Sequence, residues 1–383
     1  MAHSSPLVTQ FLTVGGLLAC GLLPAPWLCD LPFTLREAMR QNRLNRADYE
    51  RMERGYYERL LDAGRRLDGT DDLAPGQQSL ARALPLPFDA GPLTLTVSDL
   101  REYVLKPDLA IIRHGVTWST NSFGMRDREY EQSKPARTFR IGFVGDSIGS
   151  GWGVDDGRGF EPLVEHALDA RSRAAGGPAV EVLNFAVPGH APGQRWEHFH
   201  RLAWDFQPDL VIYEATLADP GWDERRLRGL LPRGIGWDVP FYQAALARAD
   251  ARPGGDFEAY KILLRNSRWD LLSLVYRTIA GECRGRGVPS VWVLIPRVGK
   301  IPEPEAERRL VQLAHDSGFT AIADFRDAFD GLDPERLRID VNDYHPNAEG
   351  HARLARRLEE FLCGIPEIGA LWSPSSSLEG ASR

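Results

Sequence analysis

Five short apolar runs, separated by helix-length amphipathic stretches, constrain this chain more than any other feature. The runs are FRIGFV (139–144), AVEVLNFAV (179–187), DLVIYEA (209–215), SVWVLIPR (290–297) and TAIADF (320–325). They are nearly continuous in apolar character, whereas a strand with one wet face would alternate. That pattern belongs to strands covered on both faces, as in a parallel sheet. The stretches near 158–172, 194–205, 259–286, 303–317 and 347–362 carry helical periodicity. Strand–helix alternation predicts an α/β fold, a three-layer αβα sandwich around a central parallel sheet with right-handed crossovers. In such a sheet the functional loops lie at the carboxyl ends of the strands.

The remainder of the chain divides around this unit. Residues 1–30 hold the run FLTVGGLLACGLLPAPWLC (11–29). It has the length of a membrane span or a signal-peptide core. Leu17-Leu18-Ala19-Cys20 also resembles a lipoprotein box. We expect export or membrane anchoring; a buried N-terminal hairpin in a cytoplasmic protein is the alternative. Residues 31–119 read as a helical and irregular extension, with helix over 33–68 and Gly/Pro-rich linker beyond it. The main domain spans 120–365, and 366–383 is a Ser/Gly-rich tail. Residues 219–258 are polar and Arg-rich and interrupt the alternation, so they read as an insertion, either a lid or a solvated helical face over 222–238.

The formal net charge is −7, which leaves no basic footprint for nucleic acid. The four cysteines, Cys20, Cys29, Cys283 and Cys363, show no metal spacing; Cys283 and Cys363 read as free thiols, with a disulfide as the alternative. His198 and His200, two apart on a helix, diverge and read as surface residues rather than metal ligands. The glycines at 149, 151 and 153 lack the spacing and the G-K-[ST] of a phosphate loop.

Two strand-end loops carry chemistry. Gly145-Asp146-Ser147 follows the first run, so the Ser147 hydroxyl can face a cleft while its backbone N–H faces a developing oxyanion. Gly145 to Gly149 also fits G-x-S-x-G, the nucleophile elbow of α/β-hydrolases, but no HGGG loop precedes it. The second loop is Asp343-Tyr344-His345-Pro346-Asn347, followed by Gly350-His351. Residues two apart on an extended segment share a side, so Asp343 can orient His345, with Asp340 as a fallback. His190 either lines the cleft or is an ordinary loop residue. Trp152 either walls a pocket or packs in the core.

Together, GDS near the start of the domain and D-x-H-P-N near its end resemble blocks I and V of the SGNH/GDSL hydrolase superfamily. The lead-in N-S-x-G-x-R-D, Asn121 to Asp127, resembles a subset of it. The resemblance covers roughly residues 120–363. It implies an SGNH/flavodoxin-like fold, no metal, no cofactor, and a Ser147–His345–Asp343 mechanism on an acyl ester of a small molecule, polysaccharide or lipid. It further implies an oxyanion hole from the N–H groups of Ser147 and Gly189, the latter at block II. Block III departs from the family pattern. Alignment from Pro208-Asp209 puts Thr216 at the usual glycine, Ala218 at the asparagine and Asp219 at the aspartate. The asparagine donor is missing, with the Thr216 hydroxyl its nearest substitute, and Asn342 stands where the family commonly has the triad acid. Three readings follow: an ester hydrolase, an O-acyltransferase of an exported polysaccharide, or a weakened binding protein that keeps the fold.

Overall fold

The computed structural model describes residues 93–113, 115–248, 251, 253, 264–299, 303–340 and 343–365. The apolar run 11–29, the helix expected over 33–68 and the tail beyond 365 lie outside the described residues.

The five runs form one parallel sheet. Its strands are β5 (Thr138–Val144), β6 (Ala179–Asn184), β7 (Leu210–Ala215), β8 (Ser290–Leu294) and β9 (Ala321–Asp324), in the order β6-β5-β7-β8-β9. All six residues of β7 are buried, as a strand flanked by neighbours and covered on both faces requires. One face receives α1 (Phe160–Ala174) and α8 (Ala348–Cys363), whose Phe160, Val164, Leu168, Leu354 and Leu358 pack on Ile141, Val182, Ile212 and Val293. The other receives α2 (Pro192–Leu202), α3 (Asp219–Leu230), α4 (Pro240–Arg248), α5 (Arg268–Gly285) and α6 (Pro304–Ser317), which enclose Leu183, Val211, Tyr213 and Trp292. Each fully buried large aliphatic or aromatic side chain here stabilises the fold by roughly 1.5–3 kcal/mol. The expected three-layer sandwich is present.

Two regions differ from expectation. The described part of the extension, 93–119, is β-structure where irregular linker chain is expected. β1 (Thr94–Thr96) pairs with β2 (Tyr103–Leu105), and β3 (Ala110–Arg113) with β4 (Val116–Ser119), all antiparallel. These hairpins are built onto the sheet domain: Tyr103 Oη donates to Pro188 O at 2.9 Å, and Thr117 N to Asp155 Oδ1 at 2.9 Å. Secondly, residues 219–248 form helices whose Leu227, Leu230 and Tyr242 are buried against the sheet. They are a layer of the core and not a solvated face. Their polar composition reflects internal pairing: Asp223 accepts from Tyr242 Oη (2.7 Å) and Gly193 N (2.9 Å), and Glu224 pairs with Arg228. Cys283 and Cys363 are free thiols.

Candidate active site

The site lies at the carboxyl ends of β5, β6 and β7. Leaving β5, the chain turns at Gly145 and passes under Ser147. A Cβ on Gly145 or Gly149 would overlap the carboxyl group of Glu214, so both positions need glycine. Glu214 Oε2 accepts the N–H groups of Asp146 (3.0 Å) and Gly149 (2.9 Å), which clamps the loop from below. Burial and the adjacent Asp146 push the Glu214 carboxyl well above the usual carboxylate range.

His345 reaches the serine from a hairpin of β10 (Arg338–Asp340) and β11 (Asp343–Pro346). Its Nε2 lies 2.7 Å from Ser147 Oγ, and its Nδ1 lies 2.5 Å from Asp343 Oδ1. The carboxylate only accepts, so Nδ1 carries the proton and Nε2 accepts from the serine hydroxyl. Asp343 Oδ1 also accepts the His345 N–H at 3.0 Å, which explains how an acid only two residues upstream holds the ring. Asp340 is exposed and pairs in register with Asp343 across the hairpin; Asn342 lies outside the described residues. Asn347 caps α8, its Oδ1 accepting from Glu349 N (3.0 Å) and Gly350 N (3.2 Å). The D-x-H-P-N string thus places an imidazole, the carboxylate bonded to it and a helix start in one turn.

Gly189 stands in the left-handed region, φ +78°, in the loop after β6. Among the described residues, neither its backbone N–H nor that of Ser147 meets a hydrogen-bond acceptor. Ser147 and Gly189 are half-buried, and their loops are joined where Val187 N donates to Gly145 O at 3.3 Å, so the two unbonded N–H groups suit a developing oxyanion. Thr216 corrects the expectation set for it. Its hydroxyl is buried and donates to Asp219 Oδ1 at 3.0 Å, so it is committed within the protein. Trp152 is nearly covered: it meets Trp118 edge-on at 5.7 Å and lies 6.4 Å from the His345 ring. His190 turns away from the cleft; it is buried and its Nε2 donates to Tyr103 O at 3.0 Å. His198, expected at the surface, is buried beneath His190, with ring centroids 5.8 Å apart; His200 binds Glu282 at 2.7 Å. Burial pushes His198 down to about 4.

Two arginines that carry the site escaped the sequence reading. Arg126, noted there only as part of the lead-in motif, lies across the Trp118 ring at 3.9 Å. It donates to the carbonyls of Ser150 (2.9 Å), Gly151, Val154 (2.7 Å) and Thr117 (2.9 Å). It thereby joins the loop after β5 to β4. The rest of the motif prepares it: Asn121 Oδ1 accepts from Phe123 N and Met125 N, both at 3.0 Å, and Gly124 takes φ +78°. Asp127 accepts Asn184 N at 3.0 Å. Arg195, on α2, is fully buried and binds Asp146 and Asp219. Burial opposes the charge of Asp146, yet the Arg195 guanidinium holds its carboxyl below the usual range. A cation in an amphipathic helix ordinarily reads as solvent-facing, which is why Arg195 gave no signal in the sequence.

Residues 143–353 match the model of the GDSL-like Lipase/Acylhydrolase family, more than half of the chain. Among solved structures, the chain is similar to Axe2, an acetylxylan esterase from Geobacillus stearothermophilus, at 18% identity over 62% of this chain and 97% of that one, TM-score 0.39. It is also similar to TesA (18%, covering 58% and 97%, TM-score 0.38) and to the acetyl xylan esterase AlAXEase (14%, covering 58% and 100%, TM-score 0.38). No curated protein sequence matches the chain. The family match spans the serine of β5's loop and the histidine of β11 alike, and on it the chain belongs to the GDSL-like lipase/acylhydrolase family, as an enzyme that acts on ester bonds.

Proposed function

We propose that Ser147 is the nucleophile of a serine esterase, with His345 as its base and Asp343 as the group that orients and balances His345. The observation that carries this reading is the contact chain from Ser147 Oγ to His345 Nε2 (2.7 Å) and from His345 Nδ1 to Asp343 (2.5 Å). Ser147 Oγ attacks the ester carbonyl carbon and its proton passes to His345 Nε2. The tetrahedral oxyanion is met by the N–H groups of Ser147 and Gly189. His345 then protonates the departing alkoxide, leaving an acyl-serine. Water, deprotonated by His345, attacks that acyl group and releases the acid and the free serine.

The substrate is an acyl ester of a carbohydrate, a lipid or another alcohol. An acceptor alcohol in place of water would make the same acyl-enzyme an O-acyltransferase, and the apolar run 11–29 supports action on an exported polymer or near a membrane. The Ala218 position favours a third reading, a weakened catalyst or binding protein, since one oxyanion donor is worth about 10²–10³ in kcat. Incubation with a fluorophosphonate probe and with p-nitrophenyl acetate separates the three. We expect labelling and turnover that both vanish in Ser147→Ala. Their absence in the unmodified protein would leave only the binding-protein reading. A fall in hydrolysis on adding an acceptor sugar, with acylated sugar formed, would establish transfer.

A further inference from the structure

The two unbonded N–H groups of the cleft belong to different loops: Ser147 follows β5 and Gly189 follows β6. An oxyanion hole made of two donors works only if their separation is held, because the donors must lie about 2.7–3.1 Å from one point. With no asparagine at 218 and the Thr216 hydroxyl committed to Asp219, two-donor geometry matters more here than in a three-donor hole.

One side chain is bonded to the immediate neighbours of both donors. Arg195 Nη2 donates to Asp146 Oδ2 at 2.8 Å, and Asp146 precedes Ser147. Arg195 Nε donates to His190 O at 2.9 Å, and His190 follows Gly189. The remaining Nη1 donates to Glu214 O (3.1 Å) and to Asp219 Oδ1 and Oδ2 (3.1 and 3.2 Å), which fastens the guanidinium to the end of β7 and the start of α3. Asp219 is itself fixed by Tyr276 Oη at 2.9 Å and by Thr216. The Arg195 side chain has no solvent exposure, so it touches no substrate. Only a planar fork with donors on three nitrogens can span these acceptors at once; a lysine ammonium presents its donors from a single point.

We infer that Arg195 is a positioning residue that sets the spacing of the Ser147 and Gly189 N–H donors, and that Asp219, kept at block III without its asparagine, serves as the anchor of that guanidinium. The inference rests on the reading of Ser147 as nucleophile. It differs from a plain buried ion pair, which would affect stability while leaving stabilisation of the tetrahedral state in the folded enzyme unchanged.

The test uses the full chain with Arg195→Lys, which retains the charge but not the fork, and with Asp219→Asn, which retains Arg195 and loosens its anchor. Steady-state hydrolysis of p-nitrophenyl acetate is measured per folded molecule, alongside inhibition by an alkyl boronic acid, which forms a tetrahedral adduct on the serine. In Arg195→Lys we expect kcat to fall by about 10²-fold, the loss typical of one oxyanion donor. KM should stay within about threefold, and the boronate inhibition constant should rise in step with the fall in kcat/KM. Asp219→Asn should show the same pattern at about tenfold, and it decides the matter if the lysine variant does not fold. Folded variants whose boronate affinity and kcat both stay within about threefold of the parent overturn the inference. Ser147→Ala, run in parallel, keeps the two claims apart. Turnover surviving in that variant would overturn the nucleophile reading, whereas Ser147-dependent turnover with unchanged boronate affinity in both variants overturns only the role of Arg195.

Discussion

The strand-end cleft has two corners that treat the same kind of motif differently. At the β5–β11 corner Ser147, His345 and Asp343 face one another directly and make the contacts their types suggest. At the end of β7 the block III residues Thr216 and Asp219 face inward, bonded to each other, to Tyr276 and to Arg195. One corner presents a serine hydroxyl bonded to an imidazole; the other commits its polar atoms to bonds within the protein. The difference teaches that a motif position's role follows from what its side chain faces, which spacing alone does not disclose.

The sharpest break of this contrast is at the first corner. Ser147→Ala should lower kcat on p-nitrophenyl acetate by about 10⁶-fold, the scale for removing a triad nucleophile, while the thermal midpoint moves little because Ser147 is half-buried and makes few bonds. Asp343→Asn should cost about 10⁴-fold by admitting the wrong His345 tautomer. Asp340→Asn, at an exposed position, should leave kcat within about twofold. A larger loss in the Asp340 variant than in the Asp343 variant would reassign the acid.

Legibility in the sequence divides along the same line. The five strands were readable because burial on both faces demands unbroken apolar runs, as in Leu210–Ala215. Ser147 stands out because it follows such a strand, and His345 because D-x-H-P-N is an uncommon string, although the structure sets it within β11. What escaped was polar chemistry turned inward. Arg195 and Arg126 have the composition of surface residues, yet both are buried and bind backbone carbonyls of the site loops. Residues 219–248 looked solvated because nothing in their order shows that Asp223 faces Tyr242 or that Glu224 faces Arg228. The hairpins of 93–119 were missed because short, half-exposed strands such as Ala110–Arg113 lack the run length that marked the sheet. Trp152 fell on the packing side of its two readings, although it adjoins His345.

A smaller effect tests the second corner. Thr216→Val removes a hydroxyl bonded to Asp219, so it should destabilise the fold by about 1–3 kcal/mol, the range for leaving a buried partner unsatisfied. Because that hydroxyl is committed away from the cleft, kcat per folded molecule should stay within about threefold. A loss of 10²-fold with normal stability would return Thr216 to the oxyanion hole and erase the contrast between the corners.

The smallest expected effect lies beneath the loop that follows β5. Asp127 accepts Asn184 N at 3.0 Å, and Asn184 Nδ2 in turn donates to Gly149 O at 3.0 Å. Burial, with Glu165 close by, pushes the Asp127 carboxyl up to about 8. In the folded protein it therefore stays protonated over a range where the unfolded chain, near the ordinary value for Asp of about 4, has released its proton. The folded state binds more protons there, so stability is greatest below about pH 4 for this group and declines as pH rises toward 8. Asp127→Asn removes the titration while keeping the shape. The fall in thermal midpoint between pH 5 and pH 8 should be smaller in the variant than in the parent, and an identical fall would show that Asp127 is ionised in the folded protein. Since Asp127 supports Asn184 and through it Gly149, the variant also asks whether the first corner, which faces the cleft, depends on buried polar groups as fully as the second.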